Sequence, residues 1–251
     1  MDISINLASR GRPESLVKTL DSCINSMNKP ERADIWIKID GDDVETAKAI
    51  EEYECPCSVY PIIGPQGRGY LDMHLYINSL LRRSSGYWQF GICDDTEFIT
   101  HGWDNLLCNA EFRNHVEQEY GGLYIMWPKI VDTDMFVFMA ATRKVFETLG
   151  HWGQRFWIDG WLGITGNKAG INMVNHQWVM KHLDVDDDVR KRTYEIKGSA
   201  YSERGELLLD ANLVHLLHRD ADRLIQAIGE RQENTTFNMD IQPLWEALEC
   251  Q

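Results

Sequence analysis

Tyr87–Cys93 is a nearly continuous apolar run that leads directly into two adjacent acidic residues, Asp94 and Asp95. A strand that is apolar on both faces is typical of a parallel sheet covered by helices on each side. Two earlier segments, Ile3–Ala8 and Ile35–Ile39, have the alternating pattern of strands. Amphipathic segments separate these strands, so the sequence predicts an α/β fold with a mostly parallel sheet flanked by helices.

The remaining segments predict further elements of the same fold. Pro13 suits the first turn of a helix, and Asp42 with Glu45 can cap a second one. Thr142 and Gly150 mark the start and end of a later helix. The other expected elements are the strands Ser58–Ile63, Leu123–Trp127 and Met135–Ala141, the helix Leu71–Arg83, and a long helical tail after Asp184.

Length and charge limit the possible functions. The chain has 251 residues and a formal charge of −14, which fits one large domain or a domain with a small appendage and argues against binding a phosphate backbone by bulk charge. The sequence has no apolar run near the ~20 residues that span a bilayer, and its start, Met1-Asp2, has no signal-peptide pattern. Without paired Cys spacing for zinc, the six cysteines predict reduced thiols and a cytoplasmic protein.

Polar residues follow three of the predicted strands. Ser9 and Arg10 follow the first, Asp40 ends the second, and Asp94 and Asp95 follow the apolar strand. In open α/β sheets, ligands bind beyond the carboxyl ends of the strands. We therefore expect these side chains to gather at one edge of the sheet.

The acidic pair Asp94 and Asp95 has two interpretations. Adjacent carboxylates at the end of a buried strand repel each other, and each raises the pKa of the other. A divalent cation would relieve this repulsion, and carboxylate oxygens suit Mg²⁺ or Mn²⁺ with substrate phosphates completing the shell. Alternatively, the pair caps a helix or forms a solvated turn, because Asp-Asp pairs are common in loops.

The order of motifs resembles that of nucleotide-sugar glycosyltransferases of the GT-A fold, particularly family-2-like enzymes of bacteria and phages. The motifs that carry this resemblance occur in the family's order between residues 3 and 195: Ser9-Arg-Gly-Arg-Pro13, Asp40, Cys93-Asp94-Asp95, Gly102-Trp103-Asp104, Phe138–Gly150 and Phe156-Trp-Ile-Asp-Gly-Trp161. Cys93 replaces the family's Gly, and a strict Asp-x-Asp is absent. The resemblance implies a GT-A-like catalytic domain over 1–195. The rest of the chain, which carries no motif of the family, is expected to form a C-terminal helical extension over 196–251 that packs on this domain.

The resemblance implies an enzyme that transfers a sugar from a nucleoside-diphosphate sugar, most simply a UDP-sugar, to an acceptor hydroxyl with inversion. It implies Asp159 as general base, Trp157 and Trp161 as acceptor-side residues, and Asp95 and His182 as ligands of Mn²⁺ or Mg²⁺. It also implies a set of residues that bind the nucleotide sugar: Ser9, Arg10, Arg12, Asp40, Arg68 and Asp94. The resemblance implies neither a protein partner nor a membrane span.

Several assignments have structural alternatives. Asp94 or Glu97 could replace Asp95 as the metal ligand, and His176 competes with His182. Asp159 could cap a helix, and Trp157 and Trp161 have the spacing of core residues on one helical face. The charged residues among the donor-side set could instead lie in solvated turns.

Three other functions stay open from the sequence. The acceptor could be a modified base of phage DNA, which a basic groove near Asp159 would favour. A nucleotidyltransferase on a similar scaffold would need the same metal but would release pyrophosphate. A sugar- or nucleotide-binding module would tolerate Asp159→Asn.

Overall fold

The computed structural model describes residues 1–131, 137–155, 157–183 and 211–229. The strands are β1 (Ile3–Ser9), β2 (Ala33–Asp40), β3 (Ser58–Gly64), β4 (Trp88–Gly91), β5 (Thr96–Phe98), β6 (Ile125–Ile130), β7 (Met139–Thr142) and β8 (Asn172–His182). The helices are α1 (Pro13–Asn25), α2 (Val44–Glu51), α3 (Met73–Leu81), α4 (Asp104–Leu107), α5 (Ala110–Tyr120), α6 (Arg143–Leu149), α7 (Ile158–Lys168) and α8 (Ala211–Ile228). Short 3₁₀ helices cover Pro30–Arg32 and Gly69–Asp72.

The strands form one sheet in the order β3-β2-β1-β4-β7-β6-β8-β5. The first four are mutually parallel, whereas β7 is antiparallel to β4 and to β6. Strand β8 lies parallel to β6 and antiparallel to β5 at the edge. The predicted α/β fold is confirmed, and its parallel part is the half that contains the predicted donor-side strand ends.

Apolar side chains fill two layers of core against the sheet. In one layer, helix α1 packs its buried face, which includes Leu16, Leu20 and Cys23, in one cluster with Ile5 and Trp88. The other layer contains buried residues of α3, α6, α7 and α8. Because both faces are covered, the sheet edge where the parallel strands end is left as the place for polar side chains.

Several predicted boundaries shift in the structure. Asp43, not Asp42, caps α2, because its side chain accepts from the backbone N–H of Thr46. Strand β4 is shorter than the apolar run that predicts it, and α3 begins after a 3₁₀ turn. Helix α6 lies between Thr142 and Gly150 as predicted, although Thr142 makes no side-chain cap bond.

The C-terminal part is described only through α8. Its side chains Leu217 and Leu224 are buried against the rest of the domain. The predicted domain boundary at 195/196 lies outside the described residues, as do Met135, Phe156, the cluster of aspartates beginning at Asp184, and Cys250. No helix among the described residues has both the length and the apolar character needed to cross a bilayer.

Candidate active site

The carboxyl ends of β1, β2 and β4 place the predicted donor-side residues at one edge of the sheet. Ser9 ends β1 and Asp40 ends β2, while Asp94 follows β4 by three residues. The Ser9 hydroxyl donates to Asp94 Oδ2 at 2.6 Å, and the Ser15 hydroxyl donates to the Asp94 carbonyl at 2.7 Å. These two bonds fix the acidic turn against the start of α1.

Arg12 lies between the two acidic side chains. Its Nη1 is 3.3 Å from Asp94 Oδ1 and 3.3 Å from Asp95 Oδ2, and all three side chains are nearly buried. The pKa of Asp94 is raised to about 6, first by burial and then by the Asp95 charge, against the lowering effects of the Ser9 hydroxyl and of Arg12. The predicted repulsion within the acidic pair is therefore present, and the guanidinium of Arg12 partly compensates it.

His182, the last residue of β8, lies next to Asp95. Pairing of β5 with β8 sets His182 opposite Thr96, and His182 Nε2 lies 3.2 Å from Asp95 Oδ1. Glu97 is two residues further along the chain and outside this contact. His176, the competing histidine, is exposed on an irregular stretch of β8. Of the alternatives left open by the sequence, the structure brings together Asp95 and His182.

This arrangement fits a divalent cation that is held partly by the protein and partly by a bound substrate. A carboxylate oxygen and an imidazole nitrogen 3.2 Å apart can share one metal ion. Across the described part of the chain, no group of three or more His, Cys, Asp or Glu side chains is arranged to hold a metal by itself. Mg²⁺ sites commonly use one or two carboxylates with substrate phosphates and water, so two protein ligands suffice for that class of site.

A second polar cluster surrounds Asp40, which is almost fully buried. Arg10 Nη1 donates to Asp40 Oδ2 at 2.6 Å and also pairs with Asp42, which raises the pKa of the guanidinium above its ordinary value. Lys38 Nζ donates to Asp40 Oδ1 at 2.8 Å and lies 5.0 Å from the centre of the Tyr76 ring. Two cationic groups are thus anchored on one buried carboxylate at the end of β2.

Lys38 is a site residue that the sequence analysis missed. In the alternating strand it occupies a position that usually faces solvent, yet its side chain is buried. One signal was available, because residues 38 and 40 are two apart and therefore lie on the same face of the strand.

Arg68 is less constrained than the other predicted donor-side residues. Its side chain is 70% exposed and pairs with Asp72 at 2.6 Å. The preceding Gly67 packs so closely on the Tyr76 hydroxyl that no Cβ would fit. Since Tyr76 also contacts Lys38, the loop that contains Arg68 lies beside the Asp40 cluster.

The predicted acceptor-side residues lie at the start of α7. Asp159 is half-buried in the first turn, and its Oδ1 accepts from the backbone N–H of Gly160 at 2.9 Å. Trp157 precedes the helix, and its ring packs on Gly160 without room for a Cβ.

The structure corrects the prediction for Trp161. This side chain is only 1% exposed and packs with Leu217 of α8. Its Nε1 donates to Asp220 Oδ2 at 3.1 Å. Trp161 is therefore a core residue that attaches α8 to α7, and it offers no face to an acceptor in this structure.

The Gly102-Trp103-Asp104 motif also has a structural role. Gly102 has φ of 68°, which favours glycine, and Trp103 is buried with its Nε1 donating to Ser26 Oγ at 3.1 Å. Asp104 accepts from the backbone N–H groups of Asn28 and Lys29, each at 2.9 Å. The motif attaches the end of α1 to the segment after β5.

Comparison with known proteins identifies the fold. No protein-family model matches the sequence, and no curated protein matches it. Among solved structures, S. aureus TarS 1-349 in complex with UDP-GlcNAc has a TM-score of 0.58 at 10% identity, covering 99% of this chain and 79% of that one. The mannosyltransferase PcManGT from Pyrobaculum calidifontis, in complex with GDP-Man and Mn²⁺, has a TM-score of 0.58 at 11% identity with the same two coverages.

The chain has the GT-A fold. At these identities the likeness concerns the fold alone, so function has to be argued from the site. In this GT-A fold the polar strand ends, the pair of Asp95 and His182, and the cations around Asp40 share one edge of the sheet. That edge is where open α/β sheets bind ligands.

Proposed function

We propose that the protein is a metal-dependent, inverting glycosyltransferase that uses a nucleoside-diphosphate sugar, UDP-linked in the first instance. The observation that carries the proposal is the 3.2 Å approach of His182 Nε2 to Asp95 Oδ1 beside Arg12 at the carboxyl edge of the parallel strands. Solved structures with this fold are complexes with UDP, UDP-GlcNAc, and GDP-Man with Mn²⁺. This similarity supports a nucleotide-sugar donor for the present chain as well.

The donor side is assigned from the charges at this edge. Asp95 and His182 would hold Mn²⁺ or Mg²⁺, which supplies Lewis-acid stabilisation of the diphosphate charge. Arg12 is placed to donate to phosphate oxygens, since a guanidinium offers forked N–H groups. Ser9 holds Asp94 in position behind Arg12. Arg10 and Lys38, both anchored on Asp40, border the place assigned to the nucleoside, with Arg68 at its rim.

The acceptor side is assigned to the start of α7. Asp159 takes the proton of the acceptor hydroxyl while its oxygen attacks the anomeric carbon. The new C–O bond forms as the bond from that carbon to the diphosphate breaks, and the nucleoside diphosphate leaves with the bonding electrons. Attack from the opposite face inverts the anomeric centre. A carboxylate in the first turn of a helix is stabilised by the helix dipole, which favours the ionised form that a base requires. Trp157, next to this turn, supplies an apolar face for a sugar.

The test is binding of nucleoside diphosphates measured by thermal shift, with Mn²⁺ and with chelator. A ligand that binds only the folded state raises its stability, so UDP is expected to raise the melting temperature when Mn²⁺ is present. His182→Ala should abolish the Mn²⁺-dependent part of this shift. His176→Ala is the matched control, because that histidine lies on the same strand but is exposed and away from Asp95.

Equal shifts in the two histidine variants would contradict the metal assignment. Absence of any shift with UDP, GDP, ADP or CDP would contradict the donor assignment as a whole. Release of UDP from a UDP-sugar, lost in Asp159→Asn with UDP binding retained, would support the base assignment.

A further inference from the structure

A groove of about 710 Å³ lies away from the sheet edge, between α3, the segment after α6, and α8. One side is formed by His74 and Asn78 of α3 and by Arg82, the residue that follows this helix, each one turn from the next. Arg219 and Arg223 of α8 form the other side, four residues apart. The groove is therefore lined along both sides by cationic or polar side chains.

The charge of the groove is opposite to that of the protein. Three arginines line it, whereas no Asp or Glu is among the described residues of its lining. The whole chain carries a formal charge of −14. Asp220 lies fully buried nearby and forms ion pairs with Arg219 at 3.2 Å and with Arg223 at 3.9 Å, so its single negative charge is shared by two of the three arginines. The groove therefore keeps a local excess of positive charge in a chain that is acidic as a whole.

Contacts within the protein engage only some of these arginines. Arg223 donates to the carbonyl oxygens of Leu149 and Thr148 and so caps the end of α6. Arg82 is exposed at the end of α3, and among the described residues its guanidinium makes no hydrogen bond or ion pair. Packing of α3 thus does not explain a cation at position 82.

The charges of the three arginines all act on His151, which lines the groove. His151 is half-buried there, and burial first, then the charges of Arg223, Arg219 and Arg82, lower its pKa although the Asp220 carboxylate acts in the opposite direction. His151 Nε2 also lies 3.3 Å from Asp220 Oδ2, so the arginines and the buried Asp220 carboxylate act on this imidazole in opposite directions. Guanidinium groups bind phosphate oxygens through paired N–H donors.

We propose that this groove binds a phosphate group of a phosphorylated acceptor molecule. Gly153 lies in the wall of the groove. A Cβ atom built on Gly153 would lie 3.3 Å from Ile158 Cα, so the groove adjoins the turn that holds Asp159. Its volume suits a small ligand. No Phe, Tyr or Trp is among the described lining residues, which argues against a single-stranded nucleic acid, whose bases stack on such rings. The identification of the ligand as the acceptor rests on the proposed function, whereas the phosphate site does not.

The test is calorimetric titration of the full chain with inorganic tripolyphosphate in the presence of chelator. We expect Arg82→Gln to weaken binding about tenfold, because it removes a charged donor without removing an internal contact. Arg83→Gln is the matched control, since Arg83 neighbours Arg82 but donates to Ser79 O instead of lining the groove.

The outcomes are distinguishable. Equal affinity in Arg82→Gln and Arg83→Gln, or no binding by the unaltered chain, would overturn the phosphate site. A short DNA oligonucleotide and glucose 6-phosphate are compared as competitors of tripolyphosphate. Stronger competition by the oligonucleotide, again dependent on Arg82, would overturn the acceptor class in favour of nucleic acid. Failure of the donor proposal alone would appear as loss of the UDP-dependent thermal shift with tripolyphosphate binding intact.

Discussion

Asp104→Ala is expected to lower the free energy of unfolding by about 3 kcal/mol. The Asp104 carboxylate is fully buried and accepts one hydrogen bond each from the backbone N–H groups of Asn28 and Lys29, both at 2.9 Å. A hydrogen bond to a charged group contributes roughly 1.5–3 kcal/mol, and because these N–H groups are only partly buried we take the lower value for each. Alanine leaves both donors without this acceptor.

The assay is urea unfolding followed by circular dichroism, supported by thermal melting. For a chain of this size, about 3 kcal/mol corresponds to a fall of roughly 6–12 °C in Tm. Asn105→Ala is the control, because Asn105 lies in the same short helix with an exposed side chain. A stability for Asp104→Ala equal to that of the control would refute the assignment of this motif to a structural role. Loss of nucleotide binding without loss of stability would refute it equally.

Three further results are expected. Because burial raises the pKa of Asp94 from 3.8 to about 6, the folded protein holds this proton more tightly than the unfolded chain does. Stability of the metal-free protein should therefore fall as the pH rises from about 4 to about 6, by about 3 kcal/mol in total, and Asp94→Asn should remove this dependence in urea titrations at several pH values. Trp161→Phe should lower the free energy of unfolding by roughly 1.5–3 kcal/mol, because it removes the hydrogen bond to the Asp220 carboxylate. UDP binding should be unchanged in the same thermal-shift assay, and reduced UDP binding would return Trp161 to the ligand site. Asp159→Asn should lose most sugar transfer in a UDP-release assay, and full activity would exclude it as the base.

Local pattern was sufficient to predict the α/β fold and the edge of the sheet at which the polar strand ends lie. The alternation in β1 and β2 and the apolar run through β4 indicate which faces of each strand are buried. This signal is contained in residues that are neighbours along the chain. Once these strands are parallel, Ser9, Asp40 and Asp94 lie at the same edge of the sheet, because their strands end in the same direction.

Local pattern was not sufficient where two distant segments decide the environment of a residue. Trp157 and Trp161 have the same helical spacing in an acceptor site and in a core, and only the packing of α8 buries Trp161. The Gly-Trp-Asp motif has the order of a family motif, yet its bonds are made to the end of α1, more than seventy residues earlier in the chain.

The sequence by itself determined an α/β chain with acidic and basic groups at the ends of its parallel strands, because hydrophobic periodicity and strand direction are read from short segments. Only the tertiary structure decided which charges meet. Pairing of β5 with β8 selects His182 over His176, and the turn after β1 sets Arg12 between Asp94 and Asp95. These contacts join residues about 80 positions apart, and electrostatic interactions depend on distance in space and on burial, neither of which is expressed in the spacing along the chain.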